Sequence, residues 1–228
     1  MYCIYFDRIP LMAVSATGFS AGSVTALSGV QSDRVSAALR RPAERLAQEA
    51  ESTRVKLSAF GQAQSATAAL QTASRTLQDA RQVSTVADAR KAAETFVQAF
   101  NGERAALASA SGNGTAGAAT APEGVRAGIA TSQLERVVAD NATAFREAGI
   151  SIQRDGSLTV DAKALESAYA TNPSAVTQAL GAVGRAAEAT ATRQLGSNGS
   201  IGAAVNNLNA RLQQIETRQE DVRSRSDE

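Results

Sequence analysis

Apolar side chains recur every three or four residues in the first half of this 228-residue chain, at the spacing of one helix face. The pattern predicts a helix that Asp33 can cap, that begins near Pro42 and that continues to about Ala80. A helix of that length is roughly 60 Å long, so another long helix must lie along it. Its apolar stripe consists of Leu46, Ala50, Thr53, Leu57, Phe60, Ala63, Thr67, Leu70, Ser74 and Leu77.

The C-terminal region provides a matching helix. After a turn sequence at 196–199, apolar residues alternate spacings of four and three, with one glutamine among them, as in coiled-coil heptads. The charges beside this seam are of both signs, which is typical of a solvated helix face and not of a binding patch. The seam consists of Ile201, Val205, Leu208, Leu212, Ile215, Gln219 and Val222.

Two apolar stripes of this length exceed what one small domain can cover, so we predict that copies of the chain associate through them. The composition agrees, because alanine is abundant while large aliphatic residues and Phe are few, and each helix therefore buries little area. The predicted contact residues are Leu46, Leu57, Phe60, Leu70 and Leu77 on the first helix and Ile201, Val205, Leu208, Leu212, Ile215 and Val222 on the last.

A further helix is predicted from Val86 to about Ala110. Phe96 and Phe100 lie four residues apart and therefore side by side, which favours a place in the core over a ligand site. The predicted inner face consists of Val86, Ala89, Ala93, Phe96, Val97, Phe100, Arg104 and Leu107.

Residues 109–124 are rich in Gly and Ala and have no period, so they predict a linker. Their glycines do not form a phosphate loop, because the Lys and the preceding strand that such a loop needs are missing. The next helix is predicted from about Thr131 to Ala148, with Gly149 as its C-terminal cap.

The period changes to two after this helix. Ile150 and Ile152 alternate with polar residues, the turn residues 154–156 follow, and the alternation resumes at Leu158 and Val160. This pattern predicts a short β-hairpin.

Two more helices are predicted after the hairpin. Asp161 can cap a helix over residues 162–170, and Asn172 with Pro173 can start another. Asp155 and Asp161 are therefore interpreted as a turn residue and a cap, and not as a catalytic pair of carboxylates.

The predicted fold class is mainly α, with long antiparallel coiled-coil helices and a small α+β knob containing one β-hairpin. The predicted divisions are a flexible arm at 1–33, a long helix at 34–82, a helical region at 83–195 with its linker at 109–124 and the knob at 149–183, and a coiled-coil helix at 196–228.

The N-terminal segment does not have the pattern of a secretory signal, because Asp7, Arg8 and Pro10 interrupt its apolar residues. The composition changes abruptly at Met12, which favours translation from that residue and places Cys3 outside the mature protein. No stretch approaches the roughly 18 apolar residues of a membrane span.

Charge and composition argue against several classes of function, among them nucleic-acid binding and metal-dependent catalysis. Lys and Arg number 23 against 22 Asp and Glu, and only 4% of residues are aromatic, so neither phosphates nor bases of a nucleic acid would be bound well. The chain has no His and one Cys, so the usual metal ligands, the imidazole base and an internal disulfide are missing. We therefore predict neither an enzyme nor a cofactor.

Seven short motifs follow one another along the chain. In this order they resemble the flagellar hook-associated protein 2 family, the filament cap proteins, over about residues 39–79 and 86–225. The most specific motif is KLSAFG, and Phe100 stands where the family usually has Tyr. The motifs are RPAERL at 41–46, KLSAFG at 56–61, SATAALQTA at 65–73, FVQAFN at 96–101, AGISI at 148–152, DGSLTVD at 155–161 and NPSAV at 172–176.

The resemblance implies a subunit that is exported through the flagellar type III channel and forms a ring with its own copies at the distal end of the filament. It implies flagellin, the hook–filament junction proteins and an export chaperone as partners. Family members usually carry a large β-rich outer region between the KLSAFG and FVQAFN helices, whereas only residues 80–85 separate them here. Surface adhesion, which that region serves, is therefore in doubt.

Two other interpretations stay open at this point. One is a cytoplasmic helical adaptor or secretion chaperone that works through its heptad face. The other is a degenerate cap paralogue, which the missing outer region and the unusual N-terminal segment would fit.

Overall fold

The computed structural model describes residues 22–79, 83–112 and 121–227, with side chains from Arg40 onward. The interpretations of residues 1–21, including the start at Met12 and the place of Cys3, lie outside the described residues. The described elements are α1 (Gly22–Gln78), α2 (Val86–Ala110), α3 (Pro122–Asp140), α4 (Ala142–Glu147), β1 (Ile150–Ile152), β2 (Leu158–Val160), α5 (Ala162–Thr171), α6 (Pro173–Leu195) and α7 (Ser200–Asp227).

Helix α1 is the longest described helix, and the other long helices pack against it. Its 57 residues span about 85 Å, and α2, α6 and α7 all pack along it in the antiparallel direction. Helices α2 and α6 cover the C-terminal part of α1, whereas α7 runs beside the middle part, about residues 40–60, where Arg54 of α1 pairs with Glu216. The arrangement confirms the predicted fold class of long antiparallel helices with a small hairpin-containing knob.

The predicted stripe of α1 is the face that the other helices cover. Eight of its ten members are buried, among them Phe60, Leu70 and Leu77, and the remaining two, Leu46 and Leu57, are half-buried. Two polar members of the stripe donate their hydroxyls one turn back, Thr53 to the Glu49 carbonyl and Thr67 to the Ala63 carbonyl. The helical period in the sequence therefore identified the buried face correctly.

The main core lies around the C-terminal half of α1. Phe96 contacts Phe100 and Phe145 with ring centroids 6.2 and 6.3 Å apart, and all three side chains are fully buried. Helix α6 approaches α1 closely, because a side chain at Gly184 would meet the Ser74 carbonyl at 2.6 Å. A glycine at this point is what allows the two helices to touch.

A second, smaller cluster lies towards the N-terminal half of α1. Phe60, Ala127, Ala204 and Leu208 are buried together, and Leu57 is half-buried against them. This cluster joins α1, α3 and α7. The chain therefore has a thick half, where helices surround the phenylalanines, and a thin half, where α1 and α7 run side by side.

The knob has the predicted hairpin and caps. Strands β1 and β2 are antiparallel, with Ile150 opposite Val160 and Ile152 opposite Leu158. Asp161 caps α5 by accepting from the Ala164 N–H at 3.0 Å, and Asn172 caps α6 in the same way through Ala175. Gly149, at φ +67°, turns the chain from α4 into β1.

Three predicted element bounds differ from the structure. Helix α1 begins at Gly22 rather than near Asp33 or Pro42, and the exposed Pro42 lies inside it. A proline inside a helix removes one backbone hydrogen bond and crowds the carbonyl four residues earlier, at a cost of about 3 kcal/mol, which the good helix formers on both sides of Pro42 help to offset.

Helix α3 begins at Pro122 and not at Thr131, so the end of the predicted linker 109–124 is helical. Proline at the first position and Glu123 in the first turn are start signals that the Gly- and Ala-rich composition concealed. The predicted single helix to Ala148 is also divided, since Asn141 separates α3 from α4 and donates its side-chain amide to the Val137 carbonyl.

The inner face of α2 differs from the prediction at two positions. Val86 is 38% exposed, and Arg104 points to the hairpin, where its guanidinium donates to the Asp155 carbonyl. Glu103 occupies the buried position instead.

Candidate assembly surface

The knob is bound to α2 through two of the seven motifs that carry the family resemblance, FVQAFN and DGSLTVD. Asn101, at the end of FVQAFN, donates to the Leu158 carbonyl at 2.9 Å and accepts from the Leu158 N–H at 3.0 Å. Leu158 belongs to DGSLTVD, so the side-chain amide of one motif pairs with the backbone of the other. Tyr169 adds a third contact through its hydroxyl, which donates to the Ser84 carbonyl at 2.9 Å.

The two aspartates of the knob have structural roles. Asp155 Oδ1 accepts from the backbone N–H and the hydroxyl of Ser157, and these bonds lower the pKa of Asp155. Asp161 is occupied as the cap of α5. The turn and cap interpretation of both residues is confirmed.

The predicted association residues divide into two groups in the structure. Six are buried inside the chain, namely Phe60, Leu70, Leu77, Ile201, Leu208 and Ile215. Five are half-buried, namely Leu46, Leu57, Val205, Leu212 and Val222. The buried group is covered within one chain, and contact between copies through the half-buried group stays a prediction.

Exposed ion pairs accompany α1 and α7 along the thin half. Arg211 donates to Glu49 at 2.8 Å, and Arg54 lies 3.4 Å from Glu216. All four side chains are between 37% and 53% exposed, so each pair contributes at most about 1 kcal/mol. The pairs are consistent with the antiparallel register of α1 and α7, and they add little to the stability of the chain.

A groove opens on the thin half where α2 ends and α3 begins. It has a volume of about 740 Å³ and is lined mainly by small apolar side chains, including Ala59 and Ala108. Val55, on its wall, is 62% exposed. Lys56 lies 4.0 Å from Glu123 at the same place. Sequence reasoning missed this groove, although an isolated Val between Arg54 and Lys56, outside the stripe, was a signal for it.

The described residues contain no group of three metal-ligating side chains from His, Cys, Asp and Glu. No helix in the described ranges is both long and apolar enough to cross a membrane. The surface features of the described residues are the half-buried seam, the groove and the knob bound to α2.

Comparison with known proteins gives one match. Residues 82–228 match the model of the flagellar hook-associated protein 2 C-terminus. The match covers α2 to α7 and therefore both FVQAFN and DGSLTVD. No curated protein and no solved structure matches the chain. The resemblance read from the motifs is thus confirmed, and the chain belongs to the flagellar hook-associated protein 2 family.

Proposed function

We propose that this chain is a structural subunit of the flagellar filament cap, which self-assembles at the distal end of the flagellum, promotes flagellin polymerisation and so supports motility. The observation that carries the proposal is the family match over residues 82–228. The role is mechanical: the subunit holds and releases protein surfaces, and it needs neither a catalytic centre nor a cofactor.

The thin half is suited to contacts that form and break. Leu46, Leu212 and Val222 are only half-buried where α1 and α7 run together, and small side chains such as Ala43 and Ala47 lie beside them. Full burial of a Leu is worth about 1.5–3 kcal/mol, so covering these partly buried groups yields less than that at each contact. A cap that moves as each flagellin is added needs contacts of this modest strength.

The proposed partners follow from the family. They are other copies of the chain, flagellin, the hook–filament junction proteins and an export chaperone, with export through the flagellar type III pathway to the filament tip. Helices α1 and α2 are joined directly by residues 79–85, so the described chain presents its helices and knob, and adhesion is not part of the proposal.

The experiment is deletion of the gene in a strain that has no other cap gene. We expect flagellin to be secreted as monomers and the cells to swim poorly, and we expect the wild-type gene to restore filaments. Normal filaments in the deletion strain would contradict the proposal and favour a degenerate paralogue. A chain that stays inside cells with intact flagellar export would favour a cytoplasmic adaptor or chaperone.

Two matched variants test the assembly surface in the same strain. Val55→Asp places a charge in the groove of the thin half, whereas Val86→Asp places one on the exposed start of α2. Neither side chain is buried, so both variants should fold normally. We expect only Val55→Asp to reduce filament growth and to lower the molar mass measured by light scattering at tens of micromolar. Equal behaviour of the two variants would remove the groove from the assembly surface.

A further inference from the structure

Glu103 is a fully buried carboxylic acid at the contact between α1 and α2. Its side chain is 0% exposed, and it lies on the inner face of α2 between Phe100 and Leu107. Thr67 of α1, also 0% exposed, faces it with Oγ1 at 3.2 Å from Glu103 Oε1. The other carboxyl oxygen, Oε2, has no hydrogen-bond partner. A charged carboxylate in such a place is unfavourable unless a cation accompanies it.

The hydrogen bonds at Thr67 indicate which form of Glu103 fits. Thr67 Oγ1 lies 2.9 Å from the Ala63 carbonyl and 3.2 Å from Glu103 Oε1, yet a hydroxyl has one proton to donate. If Glu103 is ionised, both neighbours are acceptors that compete for the single Thr67 proton, although the Ala63 carbonyl also accepts the Thr67 backbone N–H within α1. If Glu103 is protonated, it donates to Thr67, and Thr67 donates to Ala63. The neutral acid therefore allows both contacts of the Thr67 hydroxyl to be hydrogen bonds at the same time, and Oε2 stays without a partner.

No ion pair compensates Glu103 within the described residues. On α1, Lys56 lies beside Glu123 of α3, and Arg75 pairs with Glu188 of α6 at 2.7 Å. The charged groups on the remaining elements near α2 have other neighbours. Arg104 of α2 donates to the Asp155 carbonyl, which lies before β2, and Glu166 of α5 pairs with Arg90. Arg126 of α3 lines a groove beside Arg193 of α6.

The pKa of Glu103 reflects this environment. Burial raises the pKa to about 7, and the Thr67 hydroxyl opposes the rise. That opposition is limited, because Thr67 can donate to the carboxylate only by releasing the Ala63 carbonyl.

We propose that Glu103 and Thr67 form a proton-dependent lock between α1 and α2, closed while Glu103 carries its proton and loosened when it ionises. The lock does not depend on the proposed function. In the unfolded chain this carboxyl titrates near its ordinary value of about 4.3. The folded chain therefore holds the extra proton from about pH 4.3 to about pH 7, and stability falls as the pH rises through that window.

The test measures urea unfolding of the purified full chain between pH 5 and pH 8. The wild type is compared with Glu103→Gln, which stays neutral and keeps a donor for Thr67. The control is Glu94→Gln, on the same helix but 46% exposed and paired with Arg90 at 2.8 Å.

We expect the unfolding constant of the wild type to rise by roughly fortyfold more than that of Glu103→Gln between pH 5 and pH 7, since one extra proton gives up to tenfold per pH unit and half of it is lost by pH 7. Glu94→Gln should keep the wild-type slope. Parallel slopes for the wild type and Glu103→Gln would overturn the lock.

A direct titration keeps the proposal testable even if Glu103→Gln does not fold. The side-chain carboxyl carbon of Glu103 in the wild type is followed by ¹³C NMR, assigned through selective labelling. A midpoint near pH 7 supports the lock, and a midpoint near the ordinary value of about 4.3 overturns it.

Discussion

Two parts of α1 are packed in different ways. Its C-terminal half has α2 on one side and α6 on the other, with Phe96, Phe100 and Phe145 filling the space between the helices. Its middle part, about residues 40–60, has α7 as a long neighbour and contains, among the side chains described there, the small cluster around Phe60 and Leu208. The same helix thus lies at the centre of the main core and is also one of the two helices that pair beyond it.

The difference teaches where stability and adaptability are located. Buried apolar area is the main source of stability, so the thick half should set the free energy of unfolding of the whole chain. The thin half has few large buried groups and should open first. Such a division fits a subunit that keeps its shape while its extended end exchanges contacts.

The largest effect is expected from the thick half. Phe96→Ala removes a side chain that is fully buried against two other aromatic rings, and it should lower the free energy of unfolding by about 3–5 kcal/mol. Urea denaturation followed by circular dichroism measures the loss. A loss similar to that of a surface substitution would show that the phenylalanine cluster is not the main core.

A smaller effect is expected from the thin half. Leu208→Ala should cost about 2–3 kcal/mol, because Leu208 is fully buried against Phe60 but in a small cluster that can partly collapse. Amide hydrogen exchange should accelerate in α7 and leave α2 protected. Equal acceleration in both helices would mean that the two halves unfold as one unit.

The smallest effect is expected at the surface of the thin half. Arg211→Ala removes the pair with Glu49, whose partners are 47% and 37% exposed, and should cost less than about 1 kcal/mol. The loss should shrink further in 1 M salt, where charges are screened. A double-mutant cycle with Glu49→Ala isolates the pair, and a coupling well above 1 kcal/mol would contradict this ranking.

The elements that sequence analysis predicted well are those with strong local chemistry. The α1 stripe was identified because Phe60, Leu70 and Leu77 recur at helical spacing, and all are buried. The hairpin and the two caps after it followed from alternation and from Asp and Asn at cap positions.

The errors occurred where small residues carry the packing. The first part of the buried face of α3 contains Gly124, Ala127 and Ala130, whose contrast with polar positions is weak, so the start of the helix was missed. Glu103 lies three residues after Phe100 and four before Leu107, in register with the inner face. The spacing alone would have placed it there, whereas the predicted inner face contained its neighbour Arg104 instead.

The position of the heptad seam was predicted, and its buried members turned out to be covered within the chain. Leu208 packs against α1 of the same chain, because an antiparallel helix can bring the two stripes together without a second copy. A charge at Leu208 would therefore damage the fold before it revealed anything about association. Val55, exposed and outside the stripe, is the better position for that question.

The amide of Asn101 has a further consequence for the hairpin. It takes both the N–H and the carbonyl that Leu158 presents on the outer edge of β2. A free strand edge is a template on which other chains can add strands and aggregate. Asn101 blocks that edge as a one-residue substitute for a neighbouring strand, so the knob can stay a two-stranded hairpin even when many copies are crowded together.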